Sequence, residues 1–92
     1  MFYCVVEATQ NCEMLRAVLH TEAEAKAISE KIFMDEKNPF VHVRSSKWFG
    51  PPEDVLAKLV GVSAQRGEGW CCICGAPMRK VGRDYGVTCT CR

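Results

Sequence analysis

The sequence predicts an α+β protein: a small ββαβα body over residues 1–66, a linker at 67–69 and a cysteine-bearing β-hairpin module over residues 70–92. Three observations predict it. Three segments of the first half alternate apolar and polar residues with the period of a strand. Two segments carry helix-start signals, one a capping box and the other a Pro-Pro-Glu-Asp run. Five of the seven cysteines, Cys71, Cys72, Cys74, Cys89 and Cys91, fall in the last 22 residues.

Residues 2–9 place Phe2, Cys4, Val6 and Ala8 against Tyr3, Val5, Glu7 and Thr9 and are rich in β-formers, which predicts a strand. Gln10-Asn11-Cys12 supplies a short polar turn. Residues 13–20 then alternate Leu15, Ala17 and Leu19 against Met14, Arg16, Val18 and His20, so the two segments read as a β-hairpin. In Thr21-Glu22-Ala23-Glu24 the Thr21 hydroxyl is placed to accept from the Glu24 N–H while the Glu24 carboxylate reaches back to the cap. A helix starts there. Ala25, Ile28, Ser29 and Ile32 follow the i, i+3, i+4, i+7 pattern, Phe33 widens the stripe, and Asn38-Pro39 ends it. Val41 and Val43 alternate against Phe40, His42 and Arg44 as a third strand. Gly50-Pro51-Pro52 breaks the chain, and proline followed by Glu53 and Asp54 suits the first turn of a second helix with an apolar stripe of Val55, Leu56, Leu59 and Val60. Residues 65–69 read as its exit and the linker.

With 92 residues, 48% hydrophobic and 25% charged, the chain has the composition of an ordinary small domain, which excludes a large multidomain enzyme. A core of this size buries a smaller share of its surface than a full domain does, and the cysteine cluster is the natural reinforcement. Net charge is +1 but uneven: residues 1–36 carry seven acids against three bases, and residues 37–92 nine bases against four acids. That asymmetry falls short of the basic footprint of a dedicated nucleic-acid binder. No basic leader precedes an apolar run, Glu7 interrupts the opening segment, and no stretch approaches a membrane span. The expected setting is cytoplasmic, intracellular and reducing, with no membrane partner. An odd cysteine count there favours metal binding over disulfides.

Cys71-x-x-Cys74-Gly75 and Cys89-x-Cys91 are separated by 14 residues in which Met78-Arg79-Lys80-Val81 and Tyr85-Gly86-Val87-Thr88 flank Gly82-Arg83-Asp84, which predicts a hairpin around a three-residue loop. Such a hairpin returns both cysteine pairs to one end, and four thiolates at one point suit tetrahedral Zn²⁺. Residues 70–92 resemble a zinc ribbon, a family built from two cysteine-bearing turns joined through a β-hairpin. The resemblance covers about a quarter of the chain. It implies one structural zinc, with Cys71 and Cys74 in the first turn, Gly75 in its glycine position, and Cys89 with Cys91 in the second. The second pair departs from the family's C-x-x-C, and no glycine follows Cys91. Cys72 is either an alternative first ligand in C-x-C with Cys74 or a spare thiol; the C-x-x-C-G spacing, which lets backbone N–H groups point at sulfur, favours Cys71.

His20-Thr21-Glu22 upstream of Cys71-x-x-Cys74 echoes the H-x-E and C-x-x-C elements of zinc deaminases. Trp70 stands where those enzymes have proline, Thr21 and Glu22 already serve the helix start, and Cys89 and Cys91 are left unexplained. The expectation is therefore a non-enzyme. Arg44, Lys47 and Trp48 combine basic and aromatic groups before the proline break, and Arg79, Lys80 and Arg83 decorate the hairpin; both sets suit binding surfaces. The hairpin, the Thr-Glu-Ala-Glu-Ala-Lys helix and the terminal ribbon together look like small accessory proteins of bacteriophages, including host-takeover and anti-defence factors. That resemblance implies a regulatory or inhibitory protein that docks on a protein partner. The alternative is a nucleic-acid-binding zinc ribbon of the transcription or translation kind, with the hairpin's bases on phosphates.

Overall fold

Antiparallel pairing organises the chain. The computed structural model describes residues 1–8, 13–47, 50–64, 67–81 and 84–87, with the side chains at 80, 81 and 84–87 left out. Strand β1 (Tyr3–Ala8) lies between β2 (Glu13–Leu19) and β3 (Val41–Ser45). β2 in turn pairs with β4 (Glu68–Cys71), and β5 (Pro77–Val81) and β6 (Asp84–Val87) continue the sheet outward in the order β3-β1-β2-β4-β5-β6. Helix α1 (Glu22–Glu36) packs on one face, and the short α2 (Glu53–Leu59) sets Leu56 into the other. The α+β class expected from the sequence is the one adopted. The expected turn at residues 10–12 lies outside the described residues. No described helix is long and apolar enough to cross a membrane.

The two central strands bury both faces. Val5 and Ala17 meet Ala25, Ile28 and Ile32 under α1, whereas Cys4, Val6, Leu15 and Val18 pack with Leu56, Leu59 and Trp70 on the α2 side. Strict alternation over residues 13–20 would set Leu15, Ala17 and Leu19 on one face. The register breaks it: Val5 pairs with Ala17 but Val6 with Leu15, so Arg16 is an extra residue on β2, a β-bulge. The slip places Leu15 and Val18 on one face and Ala17 on the other, which a single period-two reading misses.

The bulge delivers Arg16 into the interior. Its side chain is 1% exposed and meets two carboxylates: Nη1 donates to Glu7 Oε1 at 2.8 Å and to Glu36 Oε1 at 3.1 Å, and Nη2 donates to Glu36 Oε2 at 2.7 Å. Nη2 also reaches Ala64 O at 3.4 Å, while Nε has no acceptor. Burial alone would lower the guanidinium's pKa; the hydrogen bonds it donates to Glu36 and Glu7, with their negative charges, outweigh it and hold the pKa above its usual value. A charge so placed is tolerable only because it is paired in a bidentate fork.

Glu36 also explains where α1 points. The N-cap half of the capping box forms, with Glu24 N–H donating to Thr21 Oγ1 at 3.2 Å, while the Glu24 carboxylate accepts from the Thr21 hydroxyl at 2.8 Å rather than from the Thr21 backbone N–H. The sheet-facing row is Ala25, Ile28, Ile32 and then Glu36, drawn in by Arg16. Phe33, expected to widen the stripe, lies one residue round from that row and is 49% exposed. The helix ends at Lys37 in the left-handed region (φ 52°), and Asn38 Oδ1 accepts from Phe40 N–H to turn the chain into β3.

The glycine-rich stretch expected as a linker at 67–69 carries the start of β4. Gly69 lies so close to β2 that a Cβ there would stand 2.4 Å from Leu15 O and 2.6 Å from Met14 Cγ. Glycine is present for close backbone approach rather than slack. Just before it, residues 60–64 run along the rest of the β2 edge: Gly61 N–H donates to Val18 O, and Ala64 N–H donates to Arg16 O at 2.8 Å.

Arg16→Ala is expected to destabilise the chain by about 3–5 kcal/mol in urea unfolding, because two partly buried carboxylates lose their counter-ion. Adding Glu36→Ala should recover part of that loss, a non-additivity of roughly 1 kcal/mol or more. Gly69→Ala should cost about 1–3 kcal/mol by overpacking against Leu15 and Met14, read as a lowered urea midpoint.

Candidate metal centre

β4 ends at Cys71 and β5 starts at Pro77, so the first cysteine pair sits in a tight turn between two paired strands. Cys71 N–H donates to Ala76 O at 2.7 Å, and Gly75 N–H donates back to Cys71 O at 2.9 Å. Closing that turn requires Gly75 in the left-handed region, at φ 78°. Inside it, Ile73 N–H donates to Cys71 Sγ at 3.4 Å, a contact that supports the sulfur as a thiolate, the form that binds metal.

The turn is docked on the body. A Cβ at Gly75 would stand 2.5 Å from Val55 Cγ1 and 3.4 Å from Pro51, so the turn lies flush against the start of α2. Cys71, Cys74, Met14 and Met78 form one apolar cluster at the β2–β4–β5 junction. Cys72 is also buried but belongs to no such cluster among the described residues. Its neighbour Ile73 is exposed.

Cys89 and Cys91 lie outside the described residues. Among the described residues no group of three His, Cys, Asp or Glu side chains gathers in a metal-holding arrangement. β6 ends at Val87, which pairs with Met78 next to the start of β5. Asp84 pairs with Val81 and so belongs to β6, not to the expected three-residue loop; two residues then separate the strands, a length suited to the twist of a hairpin.

The other candidate residues are dispersed. Arg44 projects from β3, half-exposed, with Nη2 donating to Glu13 Oε1 at 2.8 Å. His42 lies 3.5 Å from the same oxygen. Lys47 lines an open pocket of about 480 Å³ with Met1, Ser46, Pro51 and Glu53. Arg79 is exposed on β5, opposite Glu68, beside a groove of about 380 Å³ that includes Trp70 and Pro77. Trp48, Arg83 and the Lys80 side chain fall outside the description. In the His20-Thr21-Glu22 run, Thr21 is the helix cap and the His20 ring lies 5.6 Å from that of Phe2. The sequence pattern does not reveal the Glu7–Arg16–Glu36 cluster; its signal is an arginine inside the apolar run Met14–Leu19.

Comparison of the chain with protein-family models, with curated proteins and with solved structures found no match.

The thiols differ in chemistry. Cys4 is fully buried under Leu56, and burial pushes its pKa up to about 11. Alkylation of the metal-free native chain near pH 8, mapped by mass spectrometry, should label Cys74 on the order of 100-fold faster than Cys4. Denaturant should erase the difference.

Proposed function

We propose that the chain is a small zinc-stapled, non-enzymatic docking protein with a regulatory or inhibitory role toward a protein partner. Zn²⁺ is held by Cys71, Cys74, Cys89 and Cys91, completing a zinc-ribbon-like hairpin on a ββαβα body. The observation that carries this is the Cys71–Gly75 turn: a backbone N–H on Cys71 sulfur, a left-handed Gly75 and a Cys71–Cys74 cluster. Support for the second pair comes from the β5–β6 register, which returns the chain to Met78 two residues before Cys89. A closed four-thiolate site leaves no open coordination position, so its contribution is stability rather than Lewis-acid chemistry.

A protein partner is favoured over a nucleic acid because the two described arginines among the candidate binding residues have acids beside them. Arg44 pairs with Glu13, and Arg79 lies opposite Glu68. Large apolar side chains are exposed instead, at Phe33, Met34 and Phe40. A cytoplasmic, reducing compartment suits thiolate ligands.

Native mass spectrometry of chain purified with zinc is expected to show one metal per chain, and Cys74→Ser or Cys89→Ser to lose it with a lowered Tm. Absence of bound metal would refute the zinc site. Affinity capture from the source cell should retain a protein partner after nuclease treatment and after charge reversal at Arg79, Lys80 and Arg83. Loss of all binding in both treatments would favour the nucleic-acid reading.

A further inference from the structure

The Cys71–Gly75 turn brings two thiols of unequal exposure to one place. Gly75 N–H donates to Cys71 O, a hydrogen bond that closes one α-turn. Cα atoms three residues apart in such a turn stand about 5 Å from each other, inside the roughly 4.4–6.8 Å that a disulfide bridges. Both side chains pack into one cluster with Met14 and Met78, so they share one side of the turn.

The other described thiols are set apart. Cys72 is buried but stands outside that cluster, and adjacent Cα atoms, about 3.8 Å apart, are too close for an unstrained bridge to Cys71. Cys4 belongs to a different cluster, on the α2 side of the sheet. Within the pair, Cys71 is 6% exposed whereas Cys74 is only half-buried. A reagent in solution therefore meets Cys74 first.

We propose that Cys71 and Cys74 form a thiol–disulfide switch whose oxidant is a small disulfide, and that closing the bond discharges the metal. Discharge rests on the zinc reading above; closure of the bond does not. Cys74 sulfur attacks one sulfur of the small disulfide, whose S–S bond breaks, and the leaving thiol takes the Cys74 proton. Cys71 sulfur then attacks Cys74 sulfur in the mixed disulfide, and the second small thiol leaves with the Cys71 proton. In the zinc-loaded site, where the thiolates carry no proton, water supplies both. Two protein thiols are oxidised and one small disulfide is reduced to two thiols. With two of its four ligands consumed, the site no longer closes around Zn²⁺. The bond spans the turn itself, so the β4–β5 connection and its seat on Val55 persist while the metal is lost.

The test treats the full chain, stripped of metal by a chelator or loaded with zinc, with millimolar oxidised glutathione. Samples are quenched in denaturant with one alkylating reagent, and a portion is then reduced and labelled with a second of different mass. In the stripped chain the second label should fall on Cys71 and Cys74. Residues 67–79 form one tryptic peptide, bounded by Arg66 and Arg79. Before reduction that peptide should carry an internal bond and one alkylated thiol, Cys72, with no link to the peptide holding Cys89 and Cys91. Loading with zinc should slow closure at least ~10-fold, and a metal indicator should register one zinc released per bond. Cys71→Ser should trap glutathione on Cys74, and Cys72→Ser should leave closure unchanged. If either variant fails to fold, the mapping of the unsubstituted chain still decides. A lasting glutathione adduct on that chain, pairing of Cys71 or Cys74 with Cys72, Cys89 or Cys91, or closure with zinc retained overturns the switch. A chain that closes the bond but binds no zinc overturns the zinc reading and leaves the thiol pair standing; one that binds zinc and closes no bond overturns the switch alone.

Discussion

A buried guanidinium ties together parts of this chain that are far apart in sequence. Arg16 on β2 binds Glu7 on β1, Glu36 at the end of α1 and the carbonyl of Ala64 in the segment that follows α2. Each carboxylate is held by the same cation, so the strand pair, the helix's rotation and the later segment's course are mutually dependent. Hydrophobic contacts alone would let α1 turn or slide with little penalty. A fork with two fixed acceptors defines one angle and one depth.

Around that clamp the sheet solves the problem of a small core. β1 and β2 are covered on both faces, so most apolar side chains of the hairpin are buried, the partly buried ones lying at the strand ends. Gly69 lets β4 approach β2 closely enough to continue the sheet, and this joins the cysteine turn to the core rather than leaving it on a tether. Gly75 seats the same turn on Val55. A metal held there would stiffen the junction of α2, β4 and β5.

Much of this was legible in the sequence. The capping box at Thr21–Glu24, the stop near Asn38-Pro39 and the strand propensities of residues 2–9 and 40–45 act over a few residues, and they fall close to the observed elements. The first cysteine turn was legible for the same reason, since C-x-x-C-G constrains its own backbone. What was hidden depends on distant partners. The bulge at Arg16 needs carboxylates from β1 and α1, the exposure of Phe33 follows from Glu36 being pulled inward, and Gly69 looked like slack because its neighbour lies in β2. The basic positions Arg44 and Arg79 were visible, but not the acids opposite them.

The sheet order also has a consequence for the chain as it is made. β2 finds β1 almost at once, but its other edge waits for residues 60–64 and is completed only by β4, whose Trp70 comes roughly 55 residues after its partner Leu15. At ribosomal rates that delay is roughly 3–11 s, long compared with hairpin formation. For that interval the nascent hairpin presents an unfinished edge and an arginine whose last two anchors, Glu36 and Ala64, arrive in turn. The order of synthesis thus makes the closing of β2 a late event, and makes the newborn chain the form most exposed to wrong strand partners.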